Sequence, residues 1–188
     1  MEQALAFSPG LRLLRQDAWE VLITFILSQN TNIPRIKKMI ALLCECCGRV
    51  LPCGGCAFPT PHELVKLSAE DLRPVKCGYR AIYIIDAARR VCDGSVNLTA
   101  LAAMPSDYVK QALLNIKGVG DKVAECVLLY GFGRVERYPR DRWIKKVMAS
   151  YYPEGFPEGL RNYAGIAQQY LFHYARMHLN EELSVIKE

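Results

Sequence analysis

The chain has 188 residues, of which 51% are hydrophobic, and a formal net charge of +5. That length buries a real core in one domain, and that apolar share excludes a disordered chain. No apolar run approaches the roughly 18 residues of a membrane helix, and the first ten residues lack the pattern of a signal peptide. The expectation is an intracellular chain whose eight cysteines are reduced.

The pattern predicts helices throughout and no convincing strand. Asp17 caps a helix over 18–27, with Val21, Leu22, Phe25 and Ile26 on one face. Pro34 opens the next, where Ile36, Met39, Ile40 and Leu43 recur at helical spacing. Residues 48–61 read as a loop. Thr60-Pro61 starts a short helix to Leu67, and Ser68 caps another through Leu72. A longer helix runs from Tyr79 to Cys92 and stops at Asp93-Gly94. Leu98 to Met104 form a helical turn, and Ser106 caps a helix carrying Val109, Leu113 and Ile116. Lys117-Gly118-Val119-Gly120 breaks the pattern, and a second helix follows with Val123, Val127 and Tyr130. After a turn-rich link, Pro139 begins a helix with Trp143, Val147 and Tyr151. Residues 153–159 form a loop, the last helix covers about 160–178, and a polar tail follows Asn180.

The break at 117–120 carries the chemistry. Two glycines one residue apart let the backbone take a positive φ or approach another chain closely. A helix, a tight turn and a second helix make a helix-hairpin-helix. The free amides and dipole at the start of the second helix form an anion site that suits a phosphate. Lys122 sits in that first turn, a poor place for an ammonium ion, so it reads as an ill-placed surface residue or as a nucleophile with a lowered pKa. Residues 117–146 hold eight Lys/Arg against four Asp/Glu. Basic charge focused there fits a polyanion, though a merely basic surface has the same composition.

Gly118-Val-Gly-Asp-Lys122-Val-Ala-Glu-Cys126 followed by Tyr138-Pro-Arg-Asp141 resembles the helix-hairpin-helix (HhH-GPD) DNA glycosylase superfamily. Further segments point to its 8-oxoguanine DNA glycosylase branch. They are residues 13–17 (LLRQD), 28–35 (SQNTNIPR), 58–61 (FPTP), 78–81 (GYRA) and 164–172 (AGIAQQYLF). No single segment is decisive; their joint occurrence in the family's order is specific. The resemblance implies an all-α, two-lobed fold with a cleft between the lobes. One lobe covers about 31–135, with the hairpin at 107–131; the other joins the N-terminal helix to 138–188.

It also implies roles. Lys122 is the nucleophile that attacks C1′ of an extruded nucleotide and forms a Schiff base, and Asp141 is its electrostatic partner and proton handler. β-Elimination at the abasic site follows through the imine. Gln168 and Phe172, four apart on one helix face, read and stack on the base, and Cys126 covers its other side. Asn30, Arg35, Tyr79 and Arg80 surround the orphaned cytosine, with Tyr79 as the wedge, while Gly118 and Gly120 bind phosphate. Taken alone, Lys122 also reads as a solvated lysine, Asp141 as a plain cap, Phe172 and Cys126 as core, and the four cytosine residues as loop or surface. A monofunctional alkylpurine glycosylase and a non-catalytic DNA-binding module are the competing readings.

The expected partner is double-stranded DNA containing a damaged base, met by a monomer in the cytoplasm beside a bacterial-type nucleoid. No cofactor is required, although related hairpins hold a monovalent cation. Two features depart from the family. Its usual N-terminal β-rich domain is not read in this sequence, and Arg140 stands where relatives have an apolar residue. Cys44, Cys47, Cys53 and Cys56 have a spacing that can ligate zinc, but the loop between the pairs is short and the first two fall in a helix pattern. Free thiols are the expectation.

Overall fold

Helices joined by tight turns make up the computed structural model, which describes residues 1–182; the side chains at 142–143 and 178–182 lie outside the description. The polar tail expected beyond Asn180 therefore falls largely outside it too. The chain opens with α1, Glu2–Phe7, a short helix that the sequence pattern did not announce. Asp17 then caps α2, Ala18–Leu27, its Oδ1 accepting from the amides of Trp19 at 2.9 Å and Glu20 at 3.0 Å. Instead of one apolar face, α2 buries Trp19, Val21, Leu22, Ile23, Ile26 and Leu27. A helix that is apolar nearly all round belongs in the middle of a core.

Asn32 caps α3, Ile33–Cys47, by accepting from Arg35 N at 3.0 Å, so Pro34 lies just inside the helix. The loop after it folds back on itself through a lone bridge between Val50 and Cys56. Among the described residues this is the only strand-type pairing, and the fold is all-α, as the pattern predicts. Thr60 and Glu63 form a reciprocal capping box on α4, Pro61–Leu64, which ends sooner than expected. Ser68 and Asp71 pair in the same way, yet only a 3-10 turn, Arg73–Val75, follows. Pro74 has no amide to donate and disfavours the helical conformation before it.

Helix α5 spans Arg80–Cys92 and α6 spans Leu98–Leu101. Ser106 is the first residue of α7, Ser106–Leu114, rather than its cap, and its hydroxyl donates to Glu136 at 2.7 Å. Helix α8, Asp121–Cys126, widens into a π-helical turn over Val127–Gly131. Helix α9, Arg142–Tyr151, starts after Asp141 and not at Pro139, because the Asp141 carboxylate caps it. A 3-10 turn, Glu158–Tyr163, leads into α10, Ala164–Glu182.

Apolar side chains gather in two clusters. The larger runs from α2 through α8 and includes Leu22, Ile26, Met39, Leu43, Ile84, Leu113, Ile116 and Leu128. The smaller joins Ala4 of α1 to Ile144 and Val147 of α9 and to Leu171 and Ala175 of α10. The N-terminal helix that packs with residues after 138 is therefore α1, while α2 seats itself in the larger cluster. The segment between the clusters, 132–141, crosses beside α8 and ends at Asp141.

Candidate active site

The hairpin is set by what lies beneath it. Gly118 has φ +81°, and a Cβ there would fall 2.2 Å from the Tyr83 ring. The Gly118 carbonyl accepts from Gln29 Nε2 at 3.0 Å, and Lys117 N donates to Asp86 at 2.8 Å. Val119 N closes the turn on Ile116 O at 3.0 Å. Gly120 is extended and is the N-cap of α8. Gly118→Ala combines a left-handed backbone with a clash against a packed ring, and is expected to cost about 2–5 kcal/mol. Denaturant unfolding reads this directly; a midpoint like that of the unaltered protein would show that the turn tolerates a side chain.

Lys122 follows the turn and is exposed on α8. It lines a cavity of about 1010 Å³ together with Asn30, Gly120, Val123, Arg140, Asp141 and Lys145. Asp141 enters this cavity from the N-terminus of α9, where its Oδ1 accepts from Ile144 N at 2.8 Å. One carboxylate oxygen is thus used as a cap, and the group is held in place by it. Below both lies Cys126, whose thiol is pushed up to about 12, first by burial. The Lys122 charge pulls that value down and the Asp141 charge pushes it up, so one buried thiol feels both. Arg140 is exposed, and among the described residues it forms no ion pair with Asp141.

Lys122 also lines a second cavity of about 1080 Å³, with Glu125, Arg137, Tyr138, Met148, Tyr152 and Phe156. Lys122, Arg140, Lys145 and Ala149 border both spaces. A sequence gap of 19 residues between Lys122 and Asp141 is thereby closed across one cleft.

The other expected residues divide. Tyr79 is 48% exposed at the start of α5, with its ring edge-on to Tyr83 at 5.7 Å. Asn30, held at φ 46°, donates from Nδ2 to the Tyr79 hydroxyl at 3.4 Å. Arg35 is exposed on the first turn of α3. Arg80 differs from expectation: it is 5% exposed, donating from Nε to Gln29 O at 3.0 Å and from Nη1 to Cys77 O at 3.1 Å. Its Nη2 also bonds the Gln29 carbonyl. A guanidinium bonded to internal carbonyls holds the Asn30 loop against α5 and is not open to a cytosine.

The expected base-reading group is closed in the same way. Gln168 is 4% exposed and donates to Pro139 O at 3.3 Å, while its own carbonyl accepts from the Gln169 amide. Gln169 also donates to the Tyr130 hydroxyl at 2.7 Å. Phe172 packs in the smaller cluster, with the Arg176 guanidinium 5.7 Å from its ring centre. Gln168, Phe172 and Cys126 line neither cavity beside Lys122. The approach of α10 to the link explains the closure. Gly165 N donates to Val135 O at 2.8 Å, and a Cβ on Gly165 would lie 2.5 Å from Arg137 O.

Sequence reasoning missed Gln29, Tyr83 and Asp86, which seat the hairpin, and the acidic and basic side chains around Arg137. Gln29 stands inside the quoted 28–35 segment; the others have no local signal. Among the described residues, no three His, Cys, Asp or Glu side chains come together in a metal-binding group, and all eight cysteines are free thiols.

A probable N-glycosylase/DNA lyase of Methanothermobacter thermautotrophicus is 32% identical over 94% of this chain and 67% of its own length. The N-glycosylase/DNA lyase of Saccharomyces cerevisiae is 37% identical over 73% of this chain and 41% of its own. The 8-oxoguanine glycosylase/lyase of Clostridium acetobutylicum, solved with DNA carrying cytosine opposite 8-oxoguanine, superposes with a TM-score of 0.84 at 35% identity. That match covers 94% of this chain and 65% of the Clostridium chain. Residues 23–157, which span the hairpin, Lys122 and Asp141, match the model of the HhH-GPD superfamily of base excision DNA repair proteins, and the chain belongs to that family.

Proposed function

We propose that the protein is a bifunctional DNA glycosylase and abasic-site lyase acting as a monomer on double-stranded DNA. Its substrate is an oxidised purine, 8-oxoguanine, opposite cytosine. One observation carries this reading: Lys122 and Asp141, each at the start of a helix, line the same cleft beside the glycine hairpin. The names of the relatives above support the same chemistry.

The target base must leave the stack before its sugar can be reached. The neutral Lys122 amine attacks C1′, the C1′–N9 bond breaks, and the base leaves with the bonding electrons and takes up a proton. The attached amine loses a proton, O4′ leaves C1′ with the bonding electrons and takes up a proton, and the ring opens to the protonated imine. Removal of a C2′ proton then expels the 3′ phosphate by β-elimination. Asp141 stabilises the positive charge that develops on the sugar, with the carboxylate oxygen not used in capping α9. Gln168 and Phe172 recognise the base once their contacts with Pro139, Gln169 and Arg176 are released. Asn30, Arg35 and Tyr79 meet the opposite strand, and Arg80 supports them from behind. The Ile116 and Gly118 carbonyls already accept hydrogen bonds within the protein. Each of these carbonyls keeps a second lone pair that could face a monovalent cation at the hairpin, and no step is routed through one.

Borohydride reduction on an abasic duplex tests the reading. A covalent protein–DNA adduct is expected. Base release without an adduct would favour a monofunctional glycosylase, and DNA binding with neither would favour a binding module. Duplexes carrying different lesions, each opposite every base, test the substrate.

Affinity for duplex DNA is expected to fall steeply with salt. One phosphate neutralised by each of the exposed Lys117, Arg140, Lys145 and Lys146 would give a slope of about −3.6 in log K against log salt. Titrations at several ionic strengths check this, and a flat response would remove the phosphate contact from the account.

A further inference from the structure

We infer that Arg137 is a positioning residue: through Glu125 it pins the segment that ends at Asp141 onto the helix that carries Lys122. The inference rests on the lyase reading above.

Arg137 is only 18% exposed at its side chain and faces three carboxylates. It meets Asp107 of α7 at 2.8 Å, Glu125 of α8 at 3.7 Å and its neighbour Glu136 at 3.7 Å. Glu125, 15% exposed, also meets Lys110 of α7 at 3.0 Å, and Lys110 reaches Asp121 at 2.9 Å. Two helices and the link are thus tied through one shared acid. Such an arrangement is a weak source of stability. Withdrawing a guanidinium and a carboxylate from water costs much of what their attraction returns, and exposed Asp107 adds little. The Arg137 Nε is buried without a hydrogen-bond partner among the described residues.

Position explains what stability does not. Glu125 stands three residues after Lys122 on α8, so the two side chains are neighbours on one surface, and both line the larger cavity. Arg137 stands four residues before Asp141. The contact between Arg137 and Glu125, added to the shorter one with Asp107 of α7, therefore ties the segment that ends at Asp141 to the helix that carries Lys122.

The same contact sets the charge that Lys122 meets. The cavities beside it hold Asp121 and Glu125 from α8, Lys110 from α7, Glu136, Arg137, Arg140 and Asp141 from the link, and Lys145 and Lys146 from α9. Removing Arg137 leaves Glu125 with Lys110 at 3.0 Å as the one remaining cation of the two that meet it among the described residues, and also leaves Glu136 without Arg137. A freer carboxylate favours the ammonium form of a neighbouring amine, so imine formation then needs a higher pH.

Single-turnover borohydride trapping on an abasic duplex, run across pH, tests this with four variants. Arg137→Gln should slow trapping about 10- to 100-fold, the scale of a misplacement near 1 Å. It should also move the midpoint of the pH profile upward, with duplex affinity little changed. Glu125→Gln should move the midpoint downward, and the double variant should return it towards the original. Arg137→Lys keeps the charge and should restore the midpoint. Equal slowing at every pH, with the midpoint unmoved, would make Arg137 a structural residue and overturn the inference. Rate losses that multiply in the double variant would overturn it too, because the two residues would then act separately. Should Arg137→Gln fail to fold, Glu125→Gln and Arg137→Lys carry the test by the same midpoints. An unaltered protein that forms no adduct defeats the lyase reading, whereas an adduct formed equally fast by Arg137→Gln defeats only this inference.

Discussion

Lys122→Gln is expected to abolish the borohydride-trapped adduct while leaving the protein folded and bound to duplex DNA. Lys122 is exposed on the first turn of α8 and forms none of the ion pairs that tie this helix to its neighbours. Replacing it should shift stability by no more than about 0.5 kcal/mol. Glutamine keeps most of the aliphatic stem but has no basic nitrogen to attack a sugar. Loss of a covalent nucleophile removes the step itself, so single-turnover strand cleavage should fall by roughly three orders of magnitude or more. Affinity should drop only by the share of one cation. An adduct that persists in Lys122→Gln would move the nucleophile to another amine, with Lys145 and Lys146 on the same cavity wall the first to examine.

Asp141→Asn should lower single-turnover excision about 10²- to 10³-fold with little change in melting temperature. The prediction separates two jobs of one side chain. Asp141 caps α9 through the bond from Ile144 N, and asparagine caps a helix about as well. What asparagine cannot do is oppose a positive charge developing on the sugar, a contribution of about 3–4 kcal/mol in a preorganised site. Asp141→Ala loses the cap as well, about 1 kcal/mol. In a chain of this size that lowers the melting temperature by roughly 2–4 °C. Full activity in Asp141→Asn would reduce Asp141 to a cap, which its position in the sequence also allows.

The two variants probe residues whose chemistry is legible locally. Asp17, Asn32, Thr60 and Asp141 cap helices through amides two or three residues away, so a short window contains both partners. The turn of the hairpin is local in the same sense, since Val119 N closes on Ile116 O and Gly118 carries its positive φ, whereas its seating on Gln29, Tyr83 and Asp86 is not. Where local signals misled, a neighbour intervened. Ser68 has its capping partner, but Pro74 stops the helix from forming. Ser106 was expected as a cap, yet it joins α7 and turns its hydroxyl to Glu136, 30 residues away.

Chain order and local chemistry by themselves determined an all-α fold and a central helix-hairpin-helix, with a lysine and an aspartate at the starts of two helices; their roles in Schiff-base chemistry rest on the family resemblance. Tertiary structure alone decided which of the remaining residues face the cleft. It turned Arg80 inward onto the carbonyls of Gln29 and Cys77, closed Gln168 onto Pro139, and set Arg137 among acids from two helices and the link. The reason is range. A cap or a turn is satisfied by atoms a few residues off, whereas a buried guanidinium or amide must find partners wherever packing brings them, and spacing along the chain carries no record of that choice.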